Sequence, residues 1–317
     1  MRLQSFLRWE SVLGIVLLME LASFTVLSPY FLNPATLSDA SFTFTERGVI
    51  ALPLALLIIA GEIDISVAAI VALSSVAMGT AAAHGAGTSL LILIGLGTGL
   101  TAGAVNGALV TLAGVPAIVA TIGTMTLFRG VAYASLGDRV LKSYPESFAV
   151  PGQGYVVGLI SVELCLFTLL AVLLAVFLHR TRWGQSIFAI GASQRVARGS
   201  GLPVARYKFA LFALTGLASG LAGILLTSRL GSTRPSIAQG WELDVISIVV
   251  LGGVSVWGGK GSIAGVVIAT VTLGILNFGL GLLNVPGIVM SIVVGLLLIA
   301  IVSIPALLPR FTRQRAT

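Results

Sequence analysis

Long apolar runs separated by short polar interruptions dominate this 317-residue chain. Crossing the hydrocarbon core of a bilayer takes about 17 to 25 predominantly apolar residues. Ten runs approach that requirement, near 11–28, 48–60, 66–83, 88–112, 116–135, 155–178, 209–229, 243–257, 263–283 and 286–305. The second and eighth are short for a full crossing, so either they extend past their polar ends or the backbone breaks inside the membrane. The pattern predicts an all-α polytopic membrane protein with about ten transmembrane helices, residues 1–317 forming one transmembrane unit.

Composition agrees: 57% of residues are hydrophobic and 9% charged, too few polar groups to cover a water-soluble globule. The start of the chain, with Arg2 and Arg8 before an apolar run, resembles a signal peptide. Its apolar part is long, is flanked or interrupted by Glu10 and Glu20, and is followed by more spans, so an uncleaved first span is expected. The single cysteine, Cys165, excludes an intrachain disulfide and a Cys-rich metal site.

The formal net charge of +7 sits in the polar interruptions, where topology explains it and nucleic acid is not required. The segment 179–208 is the main polar island: it carries Arg180, Arg182, Arg195, Arg198, Arg206 and Lys208 and no Asp or Glu. Short cytoplasmic loops retain Lys and Arg. With the amino terminus inside, strict alternation puts this loop in the cytoplasm after six crossings and the tail with Arg310, Arg313 and Arg315 there after ten. Both termini are therefore expected in the cytoplasm; Arg47, Arg139, Lys142, Arg229 and Arg234 fall outside, and Arg129 falls within a span.

An internal repeat is visible. Gly61-Glu62-Ile63-Asp64-Ile65 returns in degraded form as Trp241-Glu242-Leu243-Asp244-Val245, and Asn106 before Val115-Pro116 has a counterpart in Asn277 before Val285-Pro286. The partners are five predicted spans apart. An odd number of spans inverts topology, so the chain reads as two inverted five-helix repeats about an axis in the membrane plane.

No His-Glu-x-x-His, phosphate-binding loop or cysteine pair occurs, and His84 and His179 fall in predicted loops. No catalytic residue, metal site or cofactor is expected, and ATP-driven work would require a partner. Ionisable groups inside a membrane are costly and invite a functional reading. Glu62 with Asp64, and Glu242 with Asp244, either line a polar pathway or cap the helices that follow. Glu163 lies within a span, where burial against a neighbouring helix is expected. Arg129 either snorkels to the interface or points into a cavity. Asn106, Thr121, Thr124 and Asn277 either offer hydrogen bonds to a sugar-like solute or bond between helices, and glycines at small-xxx-small spacing permit close helix packing. The basic loop either only sets orientation or forms a short helix that docks a cytoplasmic protein, with Ala197 to Gly201 allowing close approach and Arg195, Arg198 and Arg206 able to pair with carboxylates.

Four segments resemble a known family in its order: Gly61-Glu62-Ile63-Asp64-Ile65-Ser66, similar to Gly-Gly-Ile-Asp-Leu-Ser; Val115-Pro116 through Thr121, Gly123-Thr124 and Arg129-Gly130; Ile190-Gly191-Ala192 through Ala197-Arg198-Gly199-Ser200-Gly201; and Glu242-Leu243-Asp244 through Gly252-Gly253, Trp257-Gly258-Gly259 and Gly261-Ser262. They resemble the permease subunits of bacterial ABC importers for monosaccharides, including ribose, xylose, arabinose and rhamnose systems and the autoinducer-2 importer. Glu62 departs from the family's usual Gly, and Ala68-Ala69 from Val-Gly. The run Gly48-Val49-Ile50-Ala51-Leu52-Pro53-Leu54 looks closest to the rhamnose and autoinducer-2 branches.

The resemblance implies a single permease domain in the bacterial inner membrane. It also implies a second permease copy or paralogue, two cytoplasmic ATPase subunits and a periplasmic sugar-binding protein, with lipid around them. Gly191, Ala192, Ser193, Arg195, Ala197, Arg198 and Gly201 would contact the ATPase. Glu62, Asp64, Asn106, Thr121, Thr124, Arg129 and Asn277 are the candidates for the substrate pathway. An ion-coupled secondary sugar transporter is the alternative that inverted repeats also allow.

Overall fold

The computed structural model describes residues 9–297 and 299; Arg2, Arg8, the end of the tenth run and the tail arginines lie outside them. The chain forms α1 (Trp9–Leu27), α2 (Pro34–Ile59), α3 (Val67–Ala83), α4 (Thr88–Thr111) and α5 (Ala117–Leu136). A short linking segment follows, with α6 (Val150–Gln153) and a hairpin of β1 (Tyr155–Val157) and β2 (Ile160–Ser161). After it come α7 (Val162–Arg180), α8 (Arg182–Ala192), α9 (Gln194–Gly199), α10 (Val204–Leu230), α11 (Trp241–Leu251), α12 (Ile263–Leu282) and α13 (Gly287–Leu297). Among the described residues seven helices are long and apolar enough to cross a membrane, namely α1, α2, α4, α5, α7, α10 and α12. Large apolar side chains such as Leu18, Leu93, Val119 and Leu173 stand exposed on them, as a lipid-facing surface requires.

Three of the expected spans are corrected. The run near 48–60 is the second half of the 26-residue α2, which starts at Pro34. Asn33 caps it, its Oδ1 accepting from Ala35 N at 3.0 Å, and Pro34 supplies a preset first-turn φ. The run near 155–178 becomes helical only at Val162, because Gly158 (φ +56°) turns the preceding residues into the hairpin. The run near 243–257 ends at Leu251, so α11 spans about 16 Å at 1.5 Å per residue. It is too short to cross the core, and Gly252, Gly253, Gly258 and Gly259 carry the chain onward as loop.

Polar residues concealed the first half of α2. They are satisfied one by one from neighbouring elements. Ser38 Oγ donates to Leu159 O (2.5 Å), Ser41 Oγ meets Ser161 Oγ (3.1 Å), and Thr45 Oγ1 donates to Glu163 Oε2 (2.9 Å). Glu46, fully buried, takes a two-pronged ion pair from Arg229, with Nε to Oε1 at 2.8 Å and Nη2 to Oε2 at 3.0 Å. Arg47 and Arg229, expected in outer loops, are therefore helix residues, Arg47 midway along α2 and Arg229 in the last turn of α10. Glu163 is buried at the start of α7, as expected.

Lipid tails are as apolar as leucine, so helices in a bilayer associate through close packing and hydrogen bonds. The closest packing joins α4 and α10. Gly95, Gly99, Gly103 and Gly107 form one stripe on α4 and face Phe209, Phe212, Gly216 and Gly220 of α10, where backbone meets backbone. The packing is reciprocal between the repeats: α10 lies on α4 as α2 lies on α12, and α3 lies on α10 as α11 lies on α2. That exchange is what a pseudo-two-fold axis produces.

Candidate functional site

Between α2, α11, α12 and α13 opens a cleft of ≈ 680 Å³ lined by Arg47, Trp241, Asp244, Asn277 and Ser291. Gly240 (φ +87°) adopts the left-handed turn that starts α11, placing Trp241, Glu242 and Asp244 in its first turn, where acidic side chains complement the helix dipole. Asp244 is thus inside the helix rather than before it, and its partner is Arg47: Nε stands 3.1 Å from Oδ2. The guanidinium lies over the Trp241 ring, 4.7 Å from its centroid, and Nη1 donates to Thr43 O at 2.9 Å. Both members of the pair are partly exposed, 26% and 43%. Arg47 Nε is buried and lacks a well-aligned acceptor although it is close to Asp244. A carboxylate, a guanidinium, an amide and an aromatic face around one opening can together bind a small solute rich in hydroxyl groups.

Of the predicted pathway residues, Asn277 lines this cleft, its Nδ2 donating to Leu273 O at 3.0 Å. Glu62, Asp64, Asn106, Thr121, Thr124 and Arg129 stand elsewhere. Asp64, buried in the link between α2 and α3, accepts from Ser66 N (2.8 Å) and Ser66 Oγ (2.7 Å) through Oδ1, while Asn106 Nδ2 donates to Oδ2 (3.2 Å) and to Ser66 Oγ (2.7 Å). This knot closes the start of α3 against α4. Thr121 and Thr124 return their hydroxyls to carbonyls of their own helix, at Ala117 (2.8 Å) and Thr121 (3.3 Å). Arg129 neither snorkels nor enters a cavity: Nη1 donates to Pro235 O (2.7 Å) and Ile237 O (2.8 Å), tying α5 to the link before α11. Arg47 and Trp241 were missed as cleft residues. The Asn33-Pro34 helix start was the available signal, since it places Arg47 inside a helix.

At the end of the bundle where α2 meets α3, α8 and α9 form a basic arm. Ser193 separates them and caps α9, Oγ accepting from Val196 N at 3.4 Å. Gly191 sits against the Ile59 carbonyl so closely that any Cβ would overlap it, and Gly259 N donates to the same oxygen at 2.8 Å. Ala197 is buried, while Ala192, Arg195, Val196, Arg198 and Gly201 face outward. Glu62 underpins the arm: it pairs with Lys208, whose Nζ also donates to Gln194 Oε1 at 2.9 Å. Beside Gly258, which packs on Gly191, Trp257 is 92% exposed. The arm is thus a propped surface presenting two arginines, a valine and a neighbouring tryptophan.

Comparison with known proteins agrees with this architecture. Residues 37–302 match the family model described as branched-chain amino acid transport system / permease component. Autoinducer 2 import system permease protein LsrD is 36% identical over 300 residues, covering 93% of this chain and 91% of the relative, in Escherichia coli K12, Escherichia coli O157:H7 and Shigella flexneri alike. No solved structure matches significantly. A multi-pass, all-α membrane protein matched over nearly its whole length in this way belongs to the permease family of bacterial sugar ABC importers.

Proposed function

We propose that this chain is one transmembrane half of an importer that carries autoinducer-2, or a small polyhydroxylated solute close to it, driven by ATP hydrolysis on separate subunits seated on the α8–α9 arm. The observation that carries the reading is that arm. Ala192, Arg195, Val196, Arg198 and Gly201 are exposed on a seat fixed by Gly191, Ser193 and buried Ala197, in a chain without a phosphate-binding loop of its own. In this reading the arm end faces the cytoplasm, a second permease copy or paralogue completes the pore, and a periplasmic binding protein delivers the solute to the opposite end. The family description names amino acids and the LsrD relatives name autoinducer-2. The cleft's neutral donors and acceptors around one balanced ion pair favour an uncharged polyol over a zwitterion.

Uptake into vesicles holding the matching ATPase and binding protein tests this directly, with autoinducer-2, rhamnose and ribose compared. Uptake of one of them that requires ATP and vanishes in Arg195→Glu/Arg198→Glu, with the permease still folded, is the expected result. Uptake that continues without the ATPase overturns the reading in favour of an ion gradient.

The cleft gives a second expectation. Asp244→Asn removes a charged acceptor, and hydrogen bonds to charged groups are worth about 1.5–3 kcal/mol. The apparent affinity for the solute should fall at least tenfold while ATPase binding to the permease is unchanged. Transport assays over a range of solute concentrations, paired with pull-down of the ATPase, check both.

A further inference from the structure

A second concave surface lies at the arm end of the bundle, on the outside. Phe177 of α7, Trp183 and Ile187 of α8, and Tyr207, Ala210 and Leu214 of α10 line an apolar groove of ≈ 260 Å³. Trp183 is half exposed, and its ring stands 4.5 Å from that of Tyr207. Two basic residues follow its walls towards the arm. Arg180 stands three residues after Phe177, and Arg206 four residues before Ala210. Helix residues three or four apart share a face, so each arginine lies one turn beyond a lining residue. The 181–203 segment joins the end of α7 to the start of α10, so both turns lead towards the arm. Arg180 and Arg206 are exposed, and among the described residues neither forms an ion pair; the acid at the arm, Glu62, is engaged by Lys208.

We propose that this groove is a binding site for one anionic phospholipid, with an acyl chain against Phe177, Tyr207 and Leu214 and the headgroup phosphate between Arg180 and Arg206. Three features select this occupant. The lining is apolar, as a hydrocarbon chain requires; an indole sits among it, a residue type enriched at membrane interfaces; and two exposed cations stand one turn beyond the walls, where they attract an anionic headgroup. A soluble protein partner would not account for an apolar groove walled by α7 and α10, two of the helices long and apolar enough to cross a membrane. The amphipathic α8, which buries Gly184, Ile187 and Ile190 and exposes Arg182 and Trp183, would then be held by lipid on one side and by Ile59 through Gly191 on the other. Lipid charge would bias the position of the arm.

The test uses the full chain in nanodiscs of zwitterionic phosphatidylcholine containing a minor fraction of brominated lipid, which quenches nearby indoles. The Trp183 signal is isolated as the difference between the parent protein and Trp183→Phe. Brominated phosphatidylglycerol should quench Trp183 at lower mole fraction than brominated phosphatidylcholine, and each arginine removed should weaken that preference about fivefold. Arg180→Gln/Arg206→Gln should therefore equalise the two lipids, and Arg180→Lys/Arg206→Lys should keep most of the preference. Equal quenching in the parent protein overturns the proposal, since it leaves only an annular surface. Loss of the preference in the lysine pair does so too, because the charge that draws the headgroup is kept there. The measurement needs neither ATPase nor solute, so its failure leaves the transport reading untouched.

Discussion

Arg229→Ala is expected to cost about 3–5 kcal/mol of stability, the usual cost of breaking a buried ion pair from one side. Removing the guanidinium leaves the Glu46 carboxylate fully buried, with Glu163 as another carboxyl close by through Thr45. The neighbouring cation, Arg47, gives it only through-space help, because that guanidinium is turned toward Asp244 and Trp241. The effect should appear as a large fall in thermal unfolding temperature of the detergent-purified protein, or as loss of membrane-inserted protein. Glu46→Gln combined with Arg229→Met removes both charges and should recover most of the loss, since replacing a buried pair by neutral groups of similar volume is often close to neutral. If the double variant is as unstable as Arg229→Ala, uncompensated charge is not the cause.

Gly216→Leu should be comparably damaging for a different reason. An added Cβ at Gly216 would overlap the Gly99 carbonyl, and one at Gly103 would overlap that of Phe212. The obstructing atoms are backbone, which cannot rotate aside as a side chain does, so α4 and α10 must separate along their whole contact. Overpacking a rigid core costs about 1–3 kcal/mol per site. Here the loss of neighbouring Gly95, Gly99 and Gly220 contacts adds to it. Gly97→Ala, on the facing helix α4 with open space around the added carbon, is the control and should not lower thermal stability. Equal damage from both substitutions would show that the backbone contact between α4 and α10 is not the cause, since both changes favour the helix intrinsically.

Hydropathy alone located most of the helices, because a span in lipid must be apolar over a set length whatever its neighbours are. It failed where that premise fails. The first half of α2 carries Ser38, Ser41, Thr45, Glu46 and Arg47, and each finds a partner on an element far away in the chain. Similarly, α11 stops early because glycines take over at Gly252, and its acidic first turn had the look of a cap preceding the helix. The Glu-x-Asp repeat was legible as a pair of matched positions, yet its two copies have different partners. Asp64 is bound into the Ser66–Asn106 knot, and Asp244 faces Arg47 across the cleft.

The basic arm was visible as a segment of unbalanced charge, and its family resemblance named what it would touch. Its support was not visible. Glu62 pairs with Lys208, 146 positions away, and Gly191 rests on the Ile59 carbonyl.

The sequence by itself determined the class of molecule, the approximate spans, the repeat and the arm, since these follow from local properties: runs of apolar residues, runs of charge, and recurring motifs. Only the tertiary structure decided which polar residue answers which. The ion-pair partners of Glu46, Arg47 and Glu62 lie at least 146 residues away, and the carbonyls that Nη1 of Arg129 meets lie 106 and 108 residues on. In a low-dielectric interior the free energy of a charged side chain depends on the group placed beside it rather than on its neighbours in the chain. Hence the cleft, whose walls come from helices distant in sequence, appears only when those helices are packed.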